Sequence, residues 1–143
     1  MFGMPIRCVL EPRELVMAPP ETSVADAASL MKRGNVGAIL IVREGKLLGI
    51  FTERDAVRRV LAVYRDPRVT KLAEVMTPDP KTVEPDETFG YALLLMHENS
   101  FRHAPVVENG RPIGVVSSRS ALDPDLEEFT AEAERRKSIR RRA

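Results

Sequence analysis

The sequence is poor in cysteine and in aromatic residues, and both shortages limit what the protein can be. Cys8 is the only cysteine, which excludes an intrachain disulfide and a zinc site held by four cysteines. There is no tryptophan, and only two tyrosines and five phenylalanines occur among 143 residues. Aliphatic side chains must therefore fill the core, as is typical of helices packed on valine- and isoleucine-rich strands.

Long apolar runs and a secretory signal are also missing from the sequence. No apolar run approaches the roughly 18 residues that span a bilayer. Residues 1–12 lack the basic-then-apolar layout of a secretory signal. With 43% hydrophobic and 30% charged residues, the composition is that of a globular protein. Together these features predict a soluble, cytoplasmic protein that has no membrane partner.

The charge is nearly balanced, but it is unevenly placed. The formal net charge is +1, and residues 130–143 contain six basic and two acidic residues, or +4, which leaves −3 for the rest. A basic terminal tail is usually a solvated end. Nucleic-acid binding through this tail is the least favoured hypothesis, because no aromatic platform accompanies its arginines.

The chain contains the same unit twice, at an offset of 65 residues. Residues 20–31 (PETSVADAASLM) align with residues 85–96 (PDETFGYALLLM), and both carry apolar residues at the spacing of one helix face. Further on, Glu44-Gly45 and Asn109-Gly110 occupy matching positions between two apolar runs. Such dipeptides are typical of tight hairpin turns, so each unit should contain a helix followed by a β-hairpin.

The ends of the two repeated helices also carry recognisable signals. Thr22 or Ser23 can cap the first helix, and Thr88 can cap the second. Gly34 and Asn99 stand where these helices should end, because both residue types tolerate the left-handed conformation found there.

Each repeat is therefore predicted to run strand, helix, strand, strand, helix. The first strands fall near residues 9–12 and 75–78, which match at an offset of 66. The predicted fold class is α/β (α+β): two tandem β-α-β-β-α repeats related by a pseudo-twofold, with sheets packed against flanking helices. The predicted boundaries are 7–64 for the first repeat, 65–74 for the linker, 75–122 for the second repeat, and 123–143 for a C-terminal helix and basic tail.

A short motif occurs in both repeats with one informative change. Residues 49–55 are GIFTERD and residues 114–120 are GVVSSRS, so Ser120 stands where the first motif has Asp55. At the start of a helix, Ser/Thr-x-x-acid forms a capping box, in which Thr52 and Asp55 would satisfy backbone N–H groups. On this interpretation the motif is purely structural.

The same two side chains also suit a nucleotide. A helix N-terminus attracts phosphate, and the Thr52 hydroxyl could donate a hydrogen bond to a phosphate oxygen. A carboxylate one turn further on can accept hydrogen bonds from both hydroxyls of a ribose. From the residues alone, the structural and the nucleotide-binding interpretations both stay open.

With its duplicated unit and its GIFTERD motif, the chain resembles a cystathionine beta-synthase (CBS) domain pair, also called a Bateman module, over about residues 7–122. The resemblance implies a regulatory, non-enzymatic fold that needs no catalytic cofactor or metal. Its regulatory ligand would be an adenine nucleotide (AMP, ADP, ATP or NAD(H)) or S-adenosylmethionine, bound in clefts between the repeats. The resemblance also implies that modules pair into disk-like dimers.

In the main cleft, the resemblance gives Thr52 to the phosphates, Asp55 to the ribose and Phe101 to the adenine. Arg102 and His103 would face the phosphates. The implied main-cleft residues are Ile50, Thr52, Arg54, Asp55, Thr77, Pro80, Lys81, Phe101, Arg102, His103 and Pro105.

The second cleft departs from the family pattern at Ser120, where the carboxylate is lost. It is expected to be empty, weak or used for another ligand, with Arg119 partly compensating. Its implied residues are Val16, Val36, Gly37, Ala38, Ser117, Arg119 and Ser120.

Two main functions follow as hypotheses. The first is a sensor whose bound nucleotide changes its shape or assembly and so controls a separate effector protein. The alternative is a degenerate pair kept only as a dimerising scaffold. A homodimer is expected in either case, through an apolar stripe formed by Ala56, Val57, Val60 and Leu61.

Overall fold

The computed structural model describes residues 2–10, 15–121, 132–133, 135–137 and 139, and its architecture is mixed α+β, as predicted. The helices are α1 (Ile6–Val9), α2 (Val24–Gly34), α3 (Glu53–Asp55), α4 (Leu72–Val75) and α5 (Phe89–Glu98). The strands are β1 (Met17–Ala18), β2 (Ala38–Arg43), β3 (Lys46–Thr52), β4 (Thr77–Pro78), β5 (His103–Glu108) and β6 (Arg111–Ser117). A π-helix at Ala56–Leu61 continues α3, and a 3₁₀ helix at Ser118–Ala121 follows β6.

Among the described residues, the strands form one sheet of four and one of two. The larger sheet has the order β1-β2-β3-β4, with β1 parallel to β2 and the other pairs antiparallel. Strand β4 lies at the start of the second repeat, yet it pairs with β3 of the first, opposite Gly49 and Ile50. The backbone that leads into the second repeat therefore forms one edge of the first repeat's sheet.

Both predicted hairpin turns are confirmed. Glu44 and Gly45 have φ values of 53° and 78°, and Asn109 and Gly110 have the same pair of values. Positive φ at both central residues matches the strand twist of a two-residue hairpin. Each hairpin also has one register shift, between Ile41 and Val42 in the first and at the equivalent place in the second.

The predicted helix starts and ends are confirmed, since α2 ends at Gly34 and Asn99 is the C-cap of α5, but the left-handed residue comes one position later. Ser23 Oγ accepts a hydrogen bond from the Asp26 amide at 3.1 Å, and Thr88 Oγ1 caps α5 in the same way. The left-handed conformation falls on Asn35 (φ 52°) and Ser100 (φ 58°), one residue after Gly34 and Asn99. Asparagine tolerates this conformation well, so α2 needs no glycine there.

The prediction of a first strand at residues 9–12 was wrong for the described part of that segment. The chain forms helix α1 at Ile6–Val9, which matches α4 at the offset of 66, while residues 11–14 lie outside the described ranges. The i, i+3 spacing of Ile6 and Val9 suits a single helical turn. The strand that pairs in parallel with β2 lies further on, at β1.

Each short leading helix packs against the other repeat. Ile6 is fully buried in the core formed by Phe89 and Met96, and its amide donates to the Glu87 carbonyl at 2.8 Å. Leu72 is fully buried in the core of the first repeat, and its amide donates to the Thr22 carbonyl at 2.9 Å. These exchanged contacts mean that neither repeat completes its core with its own leading segment.

The stripe proposed for dimer formation is divided by the structure. Val60 is buried with 1% of its surface exposed, whereas Val57 and Leu61 are exposed to 55% and 62%. A helix has only one face toward its own core, so Val60 packs in the core of the first repeat while Val57 and Leu61 lie on the surface.

The C-terminal helix predicted from residue 123 to about 137 lies mostly outside the described residues, and those described at 132–133, 135–137 and 139 are helical.

Candidate functional site

A cleft of about 730 Å³ lies between the two repeats, at the end of β3. One wall comes from the end of β3, from α3 and from the π-helix. The opposite wall comes from the segment after β4 and from the residues that join α5 to β5. The residues that line the cleft are Ile50, Thr52, Glu53, Arg54, Asp55, Arg58, Arg59, Thr77, Asp79, Pro80, Lys81, Asn99, Ser100, Phe101, Arg102 and His103.

Ten of the eleven residues expected in the main cleft line this cavity, and Pro105 does not. Pro105 is buried in β5, and its carbonyl accepts a hydrogen bond from the Val83 amide at 3.0 Å. His103, two residues earlier, reaches the cleft because it lies at the start of the strand. Contrary to expectation, Pro105 therefore does not line this cleft, because the strand continues from the cleft into the core after His103.

Thr52 and Asp55 form a complete capping box at the start of α3. The Asp55 amide donates to Thr52 Oγ1 at 3.2 Å, and the Thr52 amide donates back to Asp55 Oδ2 at 3.0 Å. The Thr52 hydroxyl donates to the same carboxylate oxygen at 3.1 Å. The capping box is thus confirmed, and the Thr52 hydroxyl, which was expected to donate to a phosphate, donates to Asp55 instead.

The other oxygen of Asp55 faces a basic side chain. Arg59 Nε lies 3.5 Å from Asp55 Oδ1, and the Asp55 side chain is only 15% exposed. The Nη1 atom of Arg59 donates to the carbonyls of Val75 and Met76 at 3.2 and 3.1 Å. Arg59 therefore connects the capping box to the end of α4, at the entrance to the second repeat.

Six residues that line the cleft were not predicted from the sequence. They are Glu53, Arg58, Arg59, Asp79, Asn99 and Ser100. Arg58 and Arg59 stand three and four positions after Asp55, the spacing of helical neighbours, so a helix through residue 61 could have indicated them. Asp79 has a φ of 45° between two prolines, and no sequence pattern indicates that it turns toward this cavity.

His103 lies against the backbone of the opposite repeat. A Cβ at Gly37 would come within 3.1 Å of His103 Nε2, so a larger residue there would require the imidazole to shift by a few tenths of an ångström. Burial lowers the pKa of His103 below its ordinary value; Glu53 opposes the shift, and the cations of Arg102 and Arg119 add to it. His103 is therefore a neutral imidazole at neutral pH, and Arg102 carries the positive charge of this pair.

A second cleft, of about 900 Å³, lies on the other side of the same wall. It is lined by Val16, Val36, Gly37, Ala38, Ser117 and Arg119 as expected, and the side chain of Ser120 lies outside the described residues. Lys32 also lines it, which the sequence analysis missed. Glu53, Arg102 and His103 line both clefts, so the two cavities share one polar wall.

Two further properties concern the described residues only. They contain no group of three His, Cys, Asp or Glu side chains placed to hold a metal ion. None of the helices in these ranges is long and apolar enough to cross a bilayer.

Comparison with known proteins gives concordant results. The family model for the CBS domain matches residues 10–62 and 72–124. The mitochondrial CBS domain-containing protein CBSX3 of Arabidopsis thaliana is 35% identical over 120 residues, which cover 80% of this chain and 58% of that protein. The CBS domain-containing protein YhcV of Bacillus subtilis is 35% identical over 104 residues, which cover 73% of this chain and 74% of the relative.

Solved structures share the fold. A protein with CBS domains from Burkholderia ambifaria, described as acting in signal transduction, has a TM-score of 0.80 and 30% identity, covering 87% of this chain and 95% of its own. A CBS domain protein of Pyrobaculum aerophilum, complexed with AMP, has a TM-score of 0.75 and 23% identity, covering 82% and 89%. With two matched repeats, exchanged leading helices and a cleft between them, this chain belongs to the CBS domain family as a tandem CBS pair.

Proposed function

We propose that this protein is a non-catalytic regulatory module that binds an adenine nucleotide in the first cleft. The bound nucleotide would act on a separate effector protein by changing the shape or the assembly of the module. The observation that carries the proposal is the composition of the cleft. One repeat contributes a threonine and a carboxylate, and the facing segments contribute an apolar surface and cations.

Each part of a nucleotide has a matching part of the cleft. Ile50, Pro80 and Phe101 offer an apolar surface for the base. Asp55 Oδ2 is occupied by the capping box, but a carboxylate has about four acceptor positions. Oδ1 keeps acceptor capacity beside its single contact with Arg59, so the cap and a ribose diol can share this carboxylate.

The AMP complex of the Pyrobaculum aerophilum protein supports the proposal through the fold alone, because only 23% of the residues are identical. The choice of an adenine nucleotide for this chain therefore depends on its own cleft residues. AMP, ADP, ATP, NAD(H) and S-adenosylmethionine are the ligands to be compared.

Assembly into a homodimer is the second part of the proposal. Val57, Leu61, Val63 and Tyr64 follow one another along the π-helix and its end, and each exposes more than half of its surface. Exposed apolar groups of this kind commonly mark protein–protein contacts. A dimer formed here would lie next to the nucleotide cleft, because the π-helix also carries Arg58 and Arg59.

The substitution Asp55→Asn tests the nucleotide site. An amide oxygen can still accept from the Thr52 amide, but the charge that favours the ribose hydroxyls is removed. Isothermal titration should show nucleotide affinity falling by about 1.5–3 kcal/mol, or roughly 10- to 150-fold.

Glu74→Gln is a matched control, because Glu74 accepts from the Lys71 amide at 2.7 Å in a capping arrangement that does not line the cleft. Its nucleotide affinity should equal that of the wild type. Equal affinities of folded Asp55→Asn and wild type would remove Asp55 from the site. If no nucleotide binds at near-millimolar concentration, the scaffold hypothesis is favoured instead.

A further inference from the structure

The first cleft has more basic than acidic side chains in its lining. Its acidic residues are Glu53, Asp55 and Asp79, and its basic residues are Arg54, Arg58, Arg59, Lys81 and Arg102. His103 adds no positive charge at neutral pH, because burial lowers its pKa. The lining therefore has an excess of positive charge before any ligand enters.

This excess of two positive charges persists once the internal contacts are taken into account. Arg59 is committed to two backbone carbonyls and to Asp55, so the charge of that carboxylate is already matched. The remaining four basic side chains, those of Arg54, Arg58, Lys81 and Arg102, are exposed and have no hydrogen bond or ion pair within the described part of the chain. Only Glu53 and Asp79 oppose them.

Provided that the proposed function holds, we infer that the ligand is an adenine nucleotide with more than one phosphate group, ADP or ATP. A phosphomonoester carries about two negative charges, and each added phosphoryl group brings further charge and more acceptor oxygens to the cationic rim. S-adenosylmethionine is disfavoured here, because its sulfonium cation would face the same arginines. A volume of about 730 Å³ lies within the usual range for sites of small organic ligands.

Titration of the wild-type protein with AMP, ADP, ATP and S-adenosylmethionine, without divalent metal, tests the inference. ATP should bind at least about tenfold more tightly than AMP, the effect of a single charge-assisted hydrogen bond. ADP should lie between them, and S-adenosylmethionine should bind more weakly than AMP. The advantage of ATP should shrink as salt is added, because the basic side chains are exposed.

Charge-neutralising variants locate the effect. Arg58→Gln and Lys81→Gln should each weaken ATP binding several-fold more than they weaken AMP binding. Arg33→Gln and Lys46→Gln are matched controls, because both residues are exposed and line neither cleft. Neither control should change the preference for ATP.

The possible failures have different meanings. Equal binding of AMP and ATP, or preferred binding of S-adenosylmethionine, would overturn this inference and leave the proposed function standing. Control variants that weaken ATP binding as much as Arg58→Gln would also overturn it, because the attraction would then be that of overall charge. If none of the four ligands binds, the proposed function fails and this inference fails with it.

Discussion

Replacing Gly49 by alanine should destabilise the protein through one close backbone contact. A Cβ at this position would lie 2.5 Å from Met76 Sδ and 2.9 Å from the Thr77 carbonyl oxygen. The methionine side chain can move away, but the carbonyl belongs to β4, which is paired with β3 at this point. Either β4 must shift or the pairing must loosen.

The expected loss is about 1–3 kcal/mol, the usual effect of adding a methyl group to a tightly packed position. For a protein of this size, that corresponds to roughly 3–4 °C in Tm for each kcal/mol. Urea unfolding followed by far-ultraviolet circular dichroism gives the free energy of unfolding directly. Because Thr77 lines the first cleft, Gly49→Ala should also weaken nucleotide binding.

The second repeat supplies a matched control. Gly114 occupies the position equivalent to Gly49, but the nearest atoms to a Cβ there would be those of the Leu10 side chain, with Cδ2 at 3.0 Å and Cδ1 at 3.3 Å. Leu10 is half-buried and can rotate, so Gly114→Ala should lose less than about 1 kcal/mol. Equal losses in the two variants, or no loss in Gly49→Ala, would refute the reasoning from the Thr77 carbonyl.

Two further predictions concern pH and assembly. Because the folded protein favours neutral His103, the stability it contributes is present above the ordinary histidine pKa of about 6.5 and is lost as the pH falls from there through the lowered pKa of the folded state. In urea unfolding between about pH 7.5 and 5, His103→Gln should flatten this loss, while the exposed His97→Gln should keep it; the opposite result would assign the effect to His97. Sedimentation velocity at micromolar concentration should give about twice the 16.0 kDa chain mass, and Leu61→Lys should give the monomer; a wild-type monomer with and without nucleotide would remove the dimer from the proposal.

The parts of the fold that sequence predicts well are those decided by neighbouring residues. Helices α2 and α5 follow from apolar spacing and from Ser23 and Thr88, whose caps act within three residues. The hairpins follow from Glu44-Gly45 and Asn109-Gly110, whose positive φ values depend on local sterics. In these elements the local preference and the tertiary structure agree.

Contacts between segments that are distant in the sequence could not be predicted from it. Helices α1 and α4 have four residues each, too few for periodicity to reveal, and each is fixed by packing on the opposite repeat. For the same reason, the pairing of β4 with β3 was not predicted.

The residues of the candidate site also fall into those that the sequence predicts and those that only distant contacts bring into the site. Resemblance to a family indicated ten of the residues that line the cleft, whereas Pro105 does not line it because strand β5 continues into the core. Arg59 was missed because its importance comes from carbonyls that are 16 and 17 residues away in sequence. Such a contact exists only after the two repeats have packed together.

A substitution of Arg59 therefore tests most directly whether contacts join Asp55 in the cleft to the junction of the two repeats at Val75 and Met76. Arg59→Met keeps much of the side-chain stem but removes both donors to Val75 and Met76 and the contact with Asp55. Its side chain is 47% exposed, so the ion pair itself adds little. The expected loss of stability is about 1–2 kcal/mol, mostly from the two hydrogen bonds.

The neighbouring substitution, Arg58→Met, is the control for this loss, since Arg58 has no hydrogen bond or ion pair within the described ranges. It should leave the free energy of unfolding within about 0.5 kcal/mol of the wild type. Arg59→Met should also lower nucleotide affinity several-fold, because Asp55 Oδ1 loses the group that orients it. If the two variants unfold with equal free energies, the Arg59 contacts do not stabilise the junction. A nucleotide on Asp55 would then have no path through Arg59 to the second repeat.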